Sequence, residues 1–138
     1  MAFLTRSPAD CTSMNQDEVR SKKVVMSYIE ALDDQRYEEA LSLLHDRVRI
    51  RGPVGETFGK PMGFIEMLRR YRSKYEIKKV FVDGTDVCVL YDLTVGGSLV
   101  YMSSWYQVKD GKIASIHTIF DPSAMGPPPK SDSAQGAS

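Results

Sequence analysis

A surplus of charge is the first thing this sequence lacks: 18 Lys and Arg stand against 18 Asp and Glu in 138 residues, a formal net charge of zero at pH 7. Domains that hold nucleic acid or an anionic membrane carry a basic excess, because phosphate affinity comes from Lys and Arg displacing counterions. Neither partner is expected here. Long apolar runs are missing too: nothing approaches the roughly 18 to 20 consecutive apolar residues of a membrane span. The opening MAFLTRSPADC has no apolar run of the secretory kind, so a cytoplasmic location is expected. Cysteine is scarce, with Cys11 in a polar stretch and Cys88 inside an apolar one, and neither has metal-ligand spacing. Cys88 reads as a small buried hydrophobe. The two histidines, His45 and His117, are far apart and have no carboxylates at ligand spacing. No metal and no cofactor is expected.

What is present is an ordinary globular composition, 42% hydrophobic and 26% charged, of a length suited to one domain. Five of the seven prolines (Pro8, Pro122, Pro127, Pro128 and Pro129) lie outside residues 10–121. The closing PPPKSDSAQGAS is poor in large apolar residues. The chain therefore reads as a flexible extension over 1–16, one domain over 17–122, and a disordered Pro/Ser/Gly-rich tail over 123–138.

Within the domain, Val24, Val25, Tyr28, Ile29 and Leu32 recur at helical spacing, which predicts an amphipathic helix over 17–34. Tyr37, Ala40, Leu41 and Leu44 predict a second over 37–44, closed by His45, a residue suited to a helix C-terminus. Val48 and Ile50 alternate with Arg47, Arg49 and Arg51, which predicts a short strand halted at Gly52-Pro53. A third helix starts near Pro61 and buries Phe64, Ile65, Leu68 and Tyr71. Beyond it, Asp83-Gly84, Gly96-Gly97 and Asp110-Gly111 are hairpin dipeptides between segments rich in Val, Ile, Tyr, Phe and Thr. They predict an antiparallel meander with strands beginning near Tyr75, Thr85, Ser98 and Lys112. Long strands coil, so the expectation is an α+β domain with a curved sheet whose concave face can enclose a cavity.

The stretches VVMSYIEALDDQRYEEALSLLHDRVRIRGPVGETFGKP and WYQVKDGKIASIHTIFD, in this order of elements, resemble the SnoaL-like members of the nuclear transport factor 2-like superfamily. The likeness covers about residues 17–122. It implies a cone-shaped curved antiparallel sheet packed with three helices from the N-terminal half, a cystatin-like roll. The superfamily includes ketosteroid isomerases, limonene-epoxide hydrolases, polyketide cyclases and dehydratases, so fold alone does not select an activity.

By this resemblance Tyr28 matches the tyrosine with which isomerases donate to a developing oxyanion. The isomerase base corresponds to Gly52 ahead of Pro53, and the second, acidic donor to Ser104 or its neighbour Ser103, so both carboxylates are replaced. Of the epoxide hydrolases' Asp-Arg-Asp group, Asp92 matches the first aspartate, whereas Leu90 and Thr118 replace the others. The hydrolases' water-orienting pair falls near Arg49 and Arg51, which can bind an anion but cannot act as bases. Asp121 and His117 are possible counterparts of the cyclases' aspartate region.

Resemblance to the isomerases makes the Ile116, Thr118 and Phe120 face the concave one. Strand alternation then sends Ile113, Ser115, His117, Ile119 and Asp121 outward. Tyr101 and Trp105, sharing a face with Leu99 and Ser103, would also point outward, where related proteins dimerise, so a homodimer is expected.

Asp92 is the sharpest local signal, an acid that interrupts the apolar run VCVLYDLTV on a face with Cys88, Leu90 and Thr94. Unpaired and desolvated, it could shuttle protons; bound to an arginine or a backbone amide, it would be structural. Tyr28 has the alternative of an ordinary core aromatic, and Arg49 and Arg51 that of a solvated strand face. Residues 36–79 carry 11 basic and 6 acidic side chains, an asymmetry that suits an anionic ligand or the steering of dimer pairing.

The combined expectation is a cofactor-free enzyme of isomerase, cyclase, dehydratase or epoxide-hydrolase type acting on a polyketide-, terpenoid- or steroid-like molecule. Asp92 and Tyr28 would be catalytic, and Arg51, Leu90, Met102, Ser104, Ile116, Thr118 and Phe120 would bind substrate. The alternative is a noncatalytic ligand-binding or dimerisation domain that kept the fold and lost its carboxylates.

Overall fold

The computed structural model describes residues 15–53 and 55–125, so most of the extension and tail expected from the sequence lies outside the described residues. Helix α1 (Gln16–Asp33) begins in a capping box: Asn15 accepts the Glu18 amide at 2.8 Å, and Glu18 accepts the Asn15 amide at 3.3 Å. Glu18 Oε2 also accepts the amide of Gly84 at 3.0 Å, tying the start of the helix to a distant hairpin turn. Asn15→Ala is therefore expected to lower stability by about 1 kcal/mol, and Glu18→Ala by more, since a turn amide loses its acceptor as well. Urea unfolding of the two variants reads both.

Helix α1 buries Val25, Tyr28, Ile29 and Leu32, one stripe of an amphipathic helix. Helix α2 (Tyr37–Ser42) is shorter than its apolar spacing predicts. Leu44 and His45 belong instead to strand β1 (Leu44–Gly52), where His45 Nδ1 accepts the Arg47 amide at 3.1 Å, so His45 does not close a helix. Gly52-Pro53 turns the chain rather than ending the sheet, because β2 (Gly55–Phe58) folds back and pairs Phe58 with Arg49. This hairpin was not legible, since GETF carries no apolar alternation and is wholly exposed. Helix α3 (Pro61–Tyr71) has its proline at the start of the first turn, as predicted.

The meander follows as β3 (Lys74–Asp83), β4 (Asp86–Val95), β5 (Ser98–Lys109) and β6 (Lys112–Ile119), with a 3₁₀ turn at Pro122–Met125. Asp110 and Gly111 both have positive φ, 56° and 76°, as a tight hairpin turn demands. The six strands among the described residues form one curved, unclosed sheet in the order β2-β1-β6-β5-β4-β3. It is not wholly antiparallel: β1 joins the far side of β6 and runs parallel to it. A long connection through α3 and the meander allows that arrangement, where a tight turn would not.

The helices cover one face. Val48, Val87, Val89, Val100, Ile113 and Ile116 are almost fully buried beneath them. Ile113 corrects strict alternation, which would turn it outward: the register shifts between Gln107 and Val108, so Val108 meets Ile113 and both point inward. No helix among the described residues is long and apolar enough to cross a membrane.

Candidate functional site

Strand β4 decides where the chemistry sits. Val87, Val89, Tyr91, Leu93 and Val95 are buried under the helices, so the alternate residues Asp86, Cys88, Leu90, Asp92 and Thr94 take the opposite, outer face. Five consecutive inward residues hold that register as a block, since a one-residue slip would expose them all.

On the inner face, residues from three neighbouring strands join their hydroxyls. Tyr91 Oη lies 2.8 Å from Ser104 Oγ, and Ser104 Oγ lies 3.0 Å from Thr118 Oγ1. The register pairs Ser104 with Thr118 directly, while Tyr91 reaches across from beside Met102. Tyr28 descends from α1 and meets Tyr106 edge-on at 6.1 Å between ring centroids, while Tyr75 and Tyr91 lie 5.6 Å apart. Ser104 is completely buried and Tyr28 almost so. Burial pushes the phenols of Tyr28, Tyr91 and Tyr106 up, although hydrogen bonds from Ser104 and Tyr106 partly offset this at Tyr91. These groups are therefore neutral donors at ordinary pH. No Asp or Glu stands among the inward residues of β1 and β3 to β6.

Of the residues expected to form the site, Tyr28, Met102, Ser104, Ile116 and Thr118 come together in this interior, and Phe120 packs half-buried against it. Asp92, Leu90 and Arg51 do not. Asp92 is paired with Tyr101 on β5, 76% exposed, and with Glu76 on β3, so it stands on the outer face. Its Oδ2 lies 3.6 Å from Lys78 Nζ. Glu76 first, and Asp92 after it, hold the Lys78 ammonium above its usual range. Leu90 shares that outer face, and Arg51 is turned outward because Val48 and Ile50 fill the inward positions of β1. The apolar run around Asp92 mixes two faces: Val87, Val89, Tyr91, Leu93 and Val95 are buried under the helices, whereas Asp92, also buried, lies on the sheet's other side.

Tyr75, Tyr91 and Tyr106 were the interior groups that sequence reading passed over. Ser104 and Tyr106, two residues apart on β5, were a period-two hint, but Tyr91 and Thr118 join them only through cross-strand register.

The outer face is centred on Trp105. Its indole N–H donates to Asp86 Oδ1 at 3.1 Å, and its ring lies 6.3 Å from that of His117. Cys88 is half-buried rather than core, with Sγ 3.6 Å from Ser103 Oγ. Phe81, Cys88, Trp105, His117 and Ile119 line a shallow depression of about 440 Å³ on this face. Asp121 is exposed, its carboxyl held below its usual range by the Ser123 hydroxyl and amide. A second cleft, about 420 Å³, runs between α2 and α3, where the Arg69 guanidinium sits 4.9 Å over the Tyr37 ring. Among the described residues no group of three or more His, Cys, Asp and Glu could hold a metal ion.

Solved structures place this architecture among known proteins. An NTF2-like protein of unknown function from Cytophaga hutchinsonii is 29% identical, with TM-score 0.71, over 75% of this chain and 91% of that one. A provisionally named ketosteroid isomerase from Kribbella flavida is 21% identical, with TM-score 0.71, over 85% and 88%. An LEH-like epoxide hydrolase from M. tuberculosis is 20% identical, with TM-score 0.65, over 78% and 87%. The last two are likenesses of fold. No curated protein matches the sequence. The family profile described as a SnoaL-like domain matches residues 25–116, and on that match, over more than half its length, the chain belongs to the SnoaL-like domain family.

Proposed function

We propose that the protein binds a small hydrophobic molecule of polyketide-, terpenoid- or steroid-like kind inside the cone, and that Tyr91, Ser104 and Thr118 hold one of its oxygens. The observation that carries this reading is the hydroxyl chain itself, set across three strands of an otherwise apolar inner face. Packing alone does not call for it, because replacing both partners of a buried hydrogen bond by apolar groups of the same shape is nearly neutral. A ligand carbonyl or hydroxyl entering the chain exchanges one hydrogen bond for another, and the apolar walls supply the remaining affinity. Phe64, Leu68, Tyr71 and Phe120 pack half-buried against this interior, and a ligand entering it would pass between them.

Neutral phenols polarise an oxygen but take no proton, so the interior supports recognition better than proton abstraction. A second reading, turnover of isomerase, cyclase or epoxide-opening type, is favoured by Tyr28, which stands in the interior where the resembling isomerases place their oxyanion donor. Asp92 supports neither reading, lying across the sheet.

Ligands that raise the melting temperature in a lipid and polyketide panel are expected to lose about tenfold in affinity in Tyr91→Phe and in Thr118→Val, about 1.4 kcal/mol each. They should bind Asp92→Asn unchanged. Calorimetric titration of the three variants checks this, with product analysis of each bound ligand. Consumption of a ligand that stops in Asp92→Asn would overturn the binding reading.

A homodimer through the outer face belongs to the same proposal. Phe81, Leu90, Leu99, Tyr101, Trp105 and Ile119, six of the ten exposed large hydrophobics among the described residues, stand on that face. Apolar clusters of this kind mark interaction surfaces.

A further inference from the structure

The outer face carries its charges asymmetrically, in register. Following the pairings across the sheet, Arg51, His117, Trp105, Cys88 and Phe81 form one row from β1 to β3. Arg49, Ser115, Gln107, Asp86 and Asp83 form the next. Each row is uncharged or weakly polar in the middle. The β1 end carries an arginine in both rows, with Glu56 of β2 as the one acid beside them, and the β4–β3 end of the second row is acidic.

Two copies stacking their outer faces under two-fold symmetry have two simple choices of axis. An axis across the strands, running along the second row, lays β1 over β1 and β4 over β4, so Arg49, Asp83 and Asp86 each meet their own counterparts. Like charges then face each other at both ends, an arrangement that costs affinity. An axis along the strands, passing between β5 and β6, exchanges the ends. Because the order is β1-β6-β5-β4, it places β1 over β4 and β6 over β5. Arg49 then lies opposite Asp86, Arg51 opposite the Cys88 position, and His117 opposite Trp105.

We propose that the homodimer adopts the second arrangement, its register selected by Arg49 of each copy pairing with Asp86 of the other. This rests on the outer face being the dimer face and adds which residues meet across it. Each group is already held in place within its own chain, Arg49 Nε at 3.2 Å from Glu56 and Asp86 by the Trp105 indole. Each also has capacity to spare, since a guanidinium has five donors and a carboxylate accepts several hydrogen bonds. Stacked sheets lie about 10 Å apart with strand directions within about 30° of each other, a gap that an extended arginine bridges.

Sedimentation equilibrium with charge-reversed variants tests the register. Wild type is expected to be a dimer that weakens as salt rises. R49E and D86K alone should each weaken dimerisation by about tenfold or more, because both symmetric contacts become repulsive. An equimolar mixture of R49E and D86K should dimerise like wild type, since every contact in the mixed dimer is again a charge pair. Asp86→Asn, which keeps an acceptor for the indole, should fall between wild type and D86K, separating the charge effect from loss of the Trp105 hydrogen bond. Failure of the mixture to recover, while Trp105→Glu still gives monomers, would overturn the register and leave the dimer face standing. A monomeric wild type, or a dimer indifferent to Trp105→Glu, would instead overturn the dimer face itself.

Discussion

Raising the pH through about 10.5 to 11.5 is expected to remove roughly 3 kcal/mol of folding stability, a large part of the total for a small domain. The cause is the set of buried phenols. Tyr28, Tyr91 and Tyr106 have their ionisation pushed up by burial, and in the unfolded chain each titrates near about 10. A group whose folded pKa is raised contributes stability that is present below the unfolded pKa and lost as pH rises toward the folded one. Above about pH 10 the unfolded state therefore sheds the protons of Tyr28 and Tyr106 that the folded state keeps, each contributing a slope of about 1.4 kcal/mol per pH unit, and Tyr91 acts in the same direction. Tyr75, half-buried and also pushed up by burial, steepens the same slope. Urea unfolding at a series of alkaline pH values, followed in parallel by tyrosinate absorbance, checks this. Tyrosinate absorbance from these three residues should appear together with loss of structure. If all seven tyrosines ionise smoothly with no loss of stability, the buried cluster is not as closed as its geometry indicates.

Ser104→Asp is expected to convert the hydroxyl chain into a pH-dependent weakness. Ser104 is completely buried, with Tyr91 and Thr118 at hydrogen-bond distance. A carboxyl there overfills a closed site, at a cost of about 1 to 3 kcal/mol. It also has its pKa raised by desolvation, by as much as about 3 units or more. The raised acid leaves stability intact below the unfolded value of about 3.9 and loses about 1.4 kcal/mol per pH unit above it until the folded pKa is reached. Near neutral pH the variant should be several kcal/mol less stable than at about pH 4. Ser104→Ala, by contrast, should lose about 1 to 3 kcal/mol independently of pH over that range. Thermal melts of both variants from acid to neutral pH distinguish them. A flat profile for Ser104→Asp would mean that water reaches the site, and that the cone opens more readily than its burial implies.

Apart from β2, the elements were legible in the sequence. Helical spacing of Val25, Tyr28, Ile29 and Leu32 marked α1, and Asp83-Gly84, Gly96-Gly97 and Asp110-Gly111 marked the meander's turns, because these signals are local. The outer placement of Tyr101 and Trp105, and the inward placement of Ile116 and Thr118, also followed once a face was chosen, since side chains alternate along a strand. The likeness quoted over residues 17–122 pointed to the family whose profile matches 25–116.

The composition of the site was not legible, because it depends on which strands become neighbours and in which register. The sequence pairs Asp92 with Tyr28 as catalytic residues, yet Asp92 lies across the strands from Tyr101, which strand alternation turns outward. Linking β4 to β5 through the Gly96-Gly97 turn was the step that would have separated them. The bulge beside Val108 that turns Ile113 inward, the parallel approach of β1 to β6, and the meeting of Tyr91, Ser104 and Thr118 all arise from long-range pairing. By itself the sequence determined the helices, the meander, the family and the two-sided character of the strands, each a matter of neighbours a few residues apart. The tertiary structure alone decided which face each strand buries and which hydroxyls touch, because hydrogen-bonded register couples residues far apart in the chain and a single residue of shift exchanges the two faces.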